Sequence, residues 1–261
     1  MEKYNEQMLS HPFFAEICDD LQLLNERLSP KMSTSPEEFL HGRPPALSES
    51  EDYVVSVFLR TARFADSFER LEHIRAYLSH FRILKQYRES GINRANYITY
   101  HYSNHAVTLL GVFDIALILT NNVLRLGIPE RQCRSEIIIQ NAWVHRRGID
   151  KILRQLDSAV EPLREPRHLF IHRGYPRDSE PLWYLRGFEI LQSIDSTLEV
   201  DSSSKIISLS ELGTMYKAEI LRILDELSEQ EKPVFNTCKE LLAALHPVYK
   251  DWKRLFAMQE K

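Results

Sequence analysis

Glycine is scarce in this chain, with 8 among 261 residues, which is less than half of the roughly 7 % average share. Because glycine supplies the positive-φ positions of tight hairpins and bulges, its scarcity argues against a sheet-rich fold. Cysteine is also scarce, and Cys18, Cys133 and Cys238 are too far apart for a disulfide framework or a Cys-x-x-Cys site. The chain is therefore expected to fold around an apolar core without disulfides.

The sequence also lacks a membrane-spanning run and a secretion signal. Its longest apolar stretch, residues 106–119, is shorter than the ~20 residues that cross a bilayer, and it contains Asp114. The first residues are polar and include no apolar segment of a leader peptide. These absences predict a cytoplasmic protein with no membrane partner. The balance of 33 basic and 37 acidic residues gives a net charge of −4, so any nucleic-acid site must be local.

Familiar catalytic motifs are missing as well. The chain has no glycine-rich phosphate loop, no His-Glu-x-x-His, no Gly-x-Ser-x-Gly and no Cys/His zinc grouping. Their absence removes many classes of enzyme, and we expect neither a cofactor nor a metal.

The apolar residues that are present recur with a helical period. Residues 51–81 carry an apolar side chain at every third or fourth position, and residues 93–126 form a second segment whose middle is apolar on nearly all sides. We predict an all-α helical bundle with two long central antiparallel helices and additional flanking helices. One small β-hairpin, pairing residues 198–200 with 205–207, is the possible exception.

Proline and serine indicate the organisation of the rest. Residues 29–50 hold four prolines among serines and are interpreted as a surface linker. Ser208 and Glu211 match a capping box that opens a helix over residues 209–231, and two shorter helices separated near Pro247 follow. The predicted regions are an N-terminal helix and linker (residues 1–45), a bundle core (46–195), and a hairpin or loop with C-terminal helices packed on the core (196–261).

Positive charge and histidine concentrate between residues 145 and 177. Eight basic residues against four acidic ones leave a local charge of about +4, and His145, His168 and His172 lie in the same window. Cleaving RNA without a metal requires a base for the 2′-hydroxyl, an acid for the departing 5′-oxygen, and cations for the charge on phosphorus. Histidine and arginine can fill these roles. The basic residues are Arg146, Arg147, Lys151, Arg154, Arg164, Arg167, Arg173 and Arg177.

Two prolines define the setting of this window. Because a residue before proline is pushed out of the α region, residues 161–165 are predicted to form an irregular corner, with Pro166 as the first residue of a new helix. The string that follows, Arg-His-Leu-Phe-Ile-His from Arg167 to His172, resembles the R-x4-6-H motif of HEPN-domain proteins. His168 stands where that family often has asparagine.

The resemblance implies a fold, an activity and partners. HEPN proteins are all-α bundles, and many are endoribonucleases that act as dimers in toxin–antitoxin or phage-defence systems. By this resemblance the chain is a metal-independent endoribonuclease, with RNA as its substrate and a nucleotidyltransferase-like protein as a possible antitoxin. Arg167 would stabilise the phosphate and His172 would act as acid or base, with Arg164, His168 and Arg173 as auxiliary residues.

The spacing of the motif bears on oligomeric state. Five residues on a regular helix turn through about 140°, so Arg167 and His172 would not share a face, whereas His168 and His172 would. Convergence requires either the irregular corner or a second chain. The expectation is a homodimer in which both motifs meet around one phosphate.

Alternatives remain at each of these residues. The chain could be a non-catalytic HEPN-like module that binds a nucleotide or a protein partner, or the window could be a solvated structural surface. The His168/His172 spacing could also bind zinc, although no third ligand is apparent. His101 and His105, among tyrosines, could stack on bases or could be interface residues.

Asp114 has two interpretations of its own. Ser103 and Asn121 fall within about 20° of its side of the helix, so a polar line is predicted to cross an otherwise apolar helix. Asp114 is then either a buried, hydrogen-bonded core aspartate or a residue that orients Arg167 or a catalytic histidine.

Overall fold

A computed structural model of the chain describes residues 3–32, 47–80, 85–173, 180–195 and 208–259. Every regular element within these ranges is helical, which confirms the predicted all-α class. The predicted hairpin lies outside the described residues. The helices are α1 (Tyr4–Leu9), α2 (Pro12–Met32), α3 (Glu49–Ser79), α4 (Lys85–Glu89), α5 (Arg94–Leu124), α6 (Ser135–Ile139), α7 (Ala142–Arg146), α8 (Ile149–Val160), α9 (Arg164–Arg173), α10 (Glu180–Asp195) and α11 (Leu209–Gln259).

The two long central helices are α3 and α5, and they run antiparallel as predicted. Near the start of α3, the Tyr53 hydroxyl donates to the carbonyl of Val123 at the end of α5, over 3.0 Å. Near the end of α3, the Tyr77 ring lies 5.2 Å from that of His101, close to the start of α5.

The C-terminal region differs from the prediction. One continuous helix, α11, replaces the predicted helix and two shorter ones, and it runs through Pro233 and Pro247. Both prolines lie on the exposed side of α11, where the core contacts of the neighbouring residues hold the helix across the break in its hydrogen bonds. The capping box at its start is confirmed: the Ser208 N–H donates to Glu211 over 2.8 Å, and the Glu211 N–H donates to the Ser208 hydroxyl over 3.2 Å.

The N-terminal region is more helical than predicted. α2 continues to Met32 through Pro30, so the first residues assigned to the linker are helical, while residues 33–46 lie outside the described part of the chain. Helix α3 begins with a capping box in which the Ser48 N–H donates to Glu51 over 2.8 Å.

The chain divides into two compact units. The first comprises Met1–Glu69, Gly111–Ser158 and Val234–Lys261, and the second comprises Arg70–Leu110 and Ala159–Pro233. Helices α3, α5 and α11 contribute to both units. The predicted boundaries near residues 45 and 195 stay a prediction.

The first unit has an aromatic core. The Tyr4 and Phe235 rings lie 4.4 Å apart, and Phe235 lies 5.4 Å from Phe68. Further along the core, Tyr249 packs on Tyr53 at 5.6 Å. Each fully buried aromatic or aliphatic side chain contributes roughly 1.5–3 kcal/mol, so this cluster anchors α1 to α3 and α11.

The second unit has a largely aliphatic core formed by α3, α5, α10 and α11. Its members are at most 9 % exposed, and partly buried Phe188, Ile220 and Leu224 pack against them. They are Ile74, Leu78, Ala95, Ile98, Tyr102, Leu182, Leu185, Leu212, Tyr216, Ile223 and Leu227.

Among the helices of the described residues, only α5 is long and apolar enough to cross a membrane. Within its most apolar window, however, 61 % of the residues are buried inside the protein. Such burial is typical of a core helix.

Candidate active site

The corner before the Arg/His motif is tighter than predicted. α8 ends at Val160, one turn of 3-10 helix covers Glu161–Leu163, and α9 begins directly at Arg164. The prediction of an irregular corner through residue 165, with Pro166 opening the helix, was therefore wrong. Pro166 instead lies within the first turn of α9, where its missing N–H has no intrahelical acceptor in any case. The corner is fixed to the second unit by Leu163, which is only 4 % exposed.

Two histidines lie side by side on α9. His168 and His172 are one helical turn apart, and their ring centroids are separated by 4.8 Å at an interplanar angle of 43°. Both side chains are exposed to solvent. Imidazoles titrate near neutral pH, so a pair placed in this way can supply an acid and a base.

Arg167 lies on the same helix but on another side of it. Its side chain is exposed, and on a regular helix it lies about 140° around the axis from His172. Since α9 is regular from Arg164 to Arg173, one chain does not bring Arg167 and His172 to the same face. The predicted convergence through an irregular corner is therefore not found in this chain, and convergence through a second chain stays a prediction.

The two auxiliary arginines, Arg164 and Arg173, lie at opposite ends of α9. The Arg164 guanidinium donates to Glu161 at the corner, in an exposed pair three residues apart. Exposed pairs of this kind contribute at most about 0.5 kcal/mol, so an anionic ligand could displace Glu161. Arg173 is the last residue of α9, and its side chain lies outside the described part of the structure.

Asp114 is exposed, so the prediction of a buried aspartate was wrong. Ser103 and Asn121, by contrast, are 4 % and 7 % exposed, which breaks the predicted polar line. Asp114 and Asn121 lie in the same unit, but the Asn121 amide donates to the carbonyl of Ile128 over 2.8 Å and accepts from the Ile128 N–H over 3.2 Å, so the segment after α5 covers Asn121 and leaves Asp114 exposed. A role of Asp114 in orienting Arg167 or a histidine stays a prediction.

The basic window itself is divided between the two units, at Ser158. In the first unit, His145 Nδ1 lies 3.0 Å from Asp150 Oδ2. The hydrogen bond to His145 holds the pKa of Asp150 below its ordinary value. His145 is thus hydrogen-bonded between α7 and α8, and the candidate residues Arg164, Arg167, His168, His172 and Arg173 all lie on α9.

The two histidines near the tyrosines, His101 and His105, are already in contact with other side chains of the protein. His101 is half-buried, and its ring lies 4.4 Å from Tyr97 and 5.3 Å from Tyr100. His105 is only 1 % exposed, and its Nε2 lies 3.1 Å from Glu231 Oε1. Since the protein itself supplies these contacts, the two histidines form no open stacking surface of the kind that base binding needs.

Sequence reasoning missed the partner of His105. Glu231 is fully buried, and its Oε2 lies 3.0 Å from Nη1 of Arg75, which is itself 3 % exposed. A signal existed, because Arg75 follows Leu71 on the apolar side of α3, and Glu231 stands one helical turn after Leu227 on α11. Charged residues at core positions indicate a buried ion pair.

The zinc interpretation of His168 and His172 would require a third ligand. Within the described residues, no group of three or more His, Cys, Asp or Glu side chains is arranged to hold a metal ion. His168 and His172 are a pair of imidazoles on a helix surface.

Comparison with known proteins agrees with the architecture. No curated protein and no solved structure matches the chain. A family model described as HEPN_Cthe2314-like HEPN matches residues 61–235, more than half of the chain, and the match includes the Arg167–His172 motif. The match extends past residue 195, the predicted end of the bundle core, into α11. The chain therefore belongs to the HEPN superfamily.

Proposed function

We propose that this protein is a metal-independent endoribonuclease of HEPN type, which cleaves RNA at a site composed of α9 from two chains. The single observation that carries the proposal is the exposed pair of imidazoles, with ring centroids 4.8 Å apart, on the helix that also carries Arg167. Membership in the HEPN superfamily supports this use of the motif.

The chemistry uses side chains of α9. One imidazole removes the proton of a ribose 2′-hydroxyl, whose oxygen attacks the adjacent phosphorus. A second imidazole protonates the departing 5′-oxygen, so the products are a 2′,3′-cyclic phosphate and a 5′-hydroxyl. The Arg167 guanidinium stabilises the charge on the non-bridging phosphate oxygens. His172 is the acid or the base, and His168, Arg164 and Arg173 assist.

The geometry of α9 favours a composite site. Arg167 and His172 lie on different sides of one helix, but in a symmetric pair of chains the arginine of one can face the histidine of the other. Ile171, which is 45 % exposed next to His172, supplies apolar surface for such a contact. Dimerisation is then part of the mechanism.

Membership in the HEPN superfamily also supports a proposal for the biological role. An RNA-cleaving HEPN protein would be harmful to its host unless it were restrained, so a toxin or phage-defence role is the natural setting. A nucleotidyltransferase-like antitoxin is the proposed partner. Co-expression with such a protein should suppress any growth arrest that the wild-type chain causes, and the His172→Ala variant should cause none.

The enzymatic proposal is tested by incubating purified protein with labelled RNA in EDTA. Removing an acid or base typically costs 10²–10⁴-fold in rate, so His172→Ala should cleave at least about a hundredfold more slowly. His73→Ala is the matched control, since His73 is another exposed helical histidine of the second unit, and it should cleave at the wild-type rate. Equal cleavage by wild type and His172→Ala would overturn the proposal. RNA binding without cleavage in both would establish the non-catalytic module instead.

The composite site has its own test. Arg167→Ala and His172→Ala are each expected to be inactive, but a mixture of the two forms heterodimers in which one chain supplies the arginine and the other the histidine. Restored cleavage on mixing supports the shared site. A mixture that stays inactive, although heterodimers form, contradicts it.

A further inference from the structure

A cavity of about 410 Å³ lies in the first unit, apart from the α9 residues. It is formed by the end of α5, the start of α7 and the last turns of α11. Its volume falls within the range of about 300–1,000 Å³ that is usual for small-molecule sites, and its walls combine apolar and polar groups as such sites do. The lining residues are Leu124, Arg125, Leu126, Asn141, Trp143, Arg147, Val248, Asp251, Trp252 and Leu255.

One wall is an indole that the fold leaves in solvent. Trp143 is 59 % exposed, although burying an indole is among the larger gains available to a folding chain. Its backbone is fixed nonetheless, because the Trp143 N–H donates to Oδ1 of Asn141, the N-cap of α7, over 2.9 Å. The Arg146 guanidinium lies 5.5 Å from the indole centroid. A positioned, solvent-facing indole with a cation nearby is a stacking surface for a planar ring.

Another part of the lining is the end of α5, where the helix closes on a residue with a left-handed backbone. Arg125 has a φ of +53°, the left-handed region that non-glycine residues rarely adopt. Its guanidinium lies 5.0 Å from the Trp252 ring and 4.9 Å from that of Phe256, and it pairs with Glu49. This conformation closes α5, because the Arg125 N–H donates to the carbonyl of Asn122 over 3.1 Å and the Leu126 N–H donates to that of Asn121 over 3.0 Å, and it places the guanidinium against the second indole.

The cavity lining also includes Arg147, whose guanidinium can bind an anionic ligand. Both Nη atoms of Arg147 donate to Oδ2 of Asp251, over 3.2 and 3.3 Å, and the two side chains are 42 % and 47 % exposed. An exposed pair of this kind contributes little to stability, whereas a phosphate offers the guanidinium a bidentate partner of higher charge. Arg147 is therefore free to exchange Asp251 for a phosphate at little cost.

We propose that this cavity binds a purine nucleoside monophosphate unit, either as a free nucleotide or as part of an RNA strand. The purine ring stacks on Trp143, the amide of Asn141 donates to a ring nitrogen, and Arg147 binds the phosphate. Purines are favoured because two indoles line the cavity and stacking strengthens with ring size. The proposal concerns a different site from α9 and does not depend on cleavage there.

Binding is measured on the full-length protein by calorimetry, with adenosine monophosphate and an oligoadenylate of twelve nucleotides as probes. Trp143→Leu should weaken binding about fivefold or more, because it removes the aromatic face on which the base stacks. Trp183→Leu is the matched control, since Trp183 is a similarly exposed indole of the second unit, and its binding should equal that of wild type. Arg147→Gln should weaken binding of the monophosphate but leave binding of adenosine unchanged.

A variant that is expected to bind more tightly separates a true effect on the site from loss of binding through misfolding. Asp251→Asn removes the carboxylate that competes for Arg147, so the monophosphate should bind several-fold more tightly. Binding of the free monophosphate identifies a nucleotide ligand, and binding of the oligoadenylate alone identifies an RNA strand. Absence of both at millimolar concentration, or equal effects of Trp143→Leu and Trp183→Leu, overturns the proposal.

Discussion

At the scale of single residues, the second unit contains a charged cluster with almost no access to water. Glu231 is shared between Arg75 and His105, which come from α3 and α5, while Glu231 itself is on α11. Taking charges out of water is costly, and the mutual attraction of the partners offsets that cost only when the whole cluster is present. The cluster thus favours one alignment of the three long helices.

Glu231→Gln should therefore destabilise the protein strongly. The variant removes the buried carboxylate charge that faces the Arg75 guanidinium, and breaking a buried ion pair typically costs about 3 to 5 kcal/mol. Urea unfolding measures the change in the free energy of unfolding. Glu229→Gln, two residues earlier in an exposed pair with Lys232, is the control and should change stability by less than about 1 kcal/mol. Equal effects would show that burial of the cluster does not matter.

His101 should make stability depend on pH. Burial lowers the pKa of its imidazole below the ordinary value of 6.5, so the folded state binds a proton less readily than the unfolded chain does. The unfolded chain gains its proton first as the pH falls, and the unfolding free energy contributed by this group decreases below about pH 6.5.

The measurement is an NMR titration of the His101 ring, whose midpoint should lie below 6.5. Tyr97→Ala removes the ring 4.4 Å away and admits water, so its midpoint should move upward toward 6.5. A midpoint at or above 6.5 in the wild type would contradict the role assigned to burial.

At the scale of elements, continuity of α11 was the largest departure from the sequence pattern. Pro247 lacks the N–H that would bond the carbonyl of Ala243, and a proline inside a helix costs about 3 kcal/mol relative to alanine. The sequence therefore predicted a break. Val248 and Tyr249 are 4 % or less exposed, and their packing outweighs the local cost.

Pro247→Ala should stabilise the protein, since Pro247 is exposed and its replacement restores a backbone hydrogen bond without removing core contacts. The expected gain is about 1–3 kcal/mol in the free energy of unfolding, measured by urea denaturation. Glu240→Ala, an exposed position of the same helix, is the control and should stay within about 0.5 kcal/mol of wild type. A destabilised Pro247→Ala would show that the proline is required for the helix path.

Element ends were predicted well where their chemistry is local. The capping box of Ser208 and Glu211 forms as its spacing predicts, because both hydrogen bonds join residues three apart. The corner before α9 was predicted less well. Local steric rules place Pro166 near a helix start, and the sequence predicted it as the first helical residue. In the structure it is the third residue of α9, which begins directly after the buried Leu163.

At the scale of the whole molecule, three helices are shared by both compact units. Each of these helices continues from one unit into the other. If one unit unfolds, the helix loses backbone hydrogen bonds at the boundary, and this weakens the other unit. The two units should therefore unfold in one cooperative transition although each has its own core.

Two single-tryptophan variants test this cooperativity. One retains only Trp252 in the first unit and the other only Trp183 in the second, and their denaturation midpoints should coincide within error. Adding Glu231→Gln, in the second unit, should shift both midpoints equally. Separate midpoints would mean that the units are independent despite the shared helices.

The sequence by itself determined the helical class, because a 3.6-residue apolar period and a shortage of glycine are properties of the chain alone. It also determined the Arg167 and His172 motif and hence the family. Tertiary structure decided that Asp114 is exposed, that Glu231 is buried with Arg75 and His105, and that Trp143 and Trp252 line one cavity. The physical reason is that burial and pairing depend on which distant segments meet, whereas periodicity and capping depend only on neighbours along the chain.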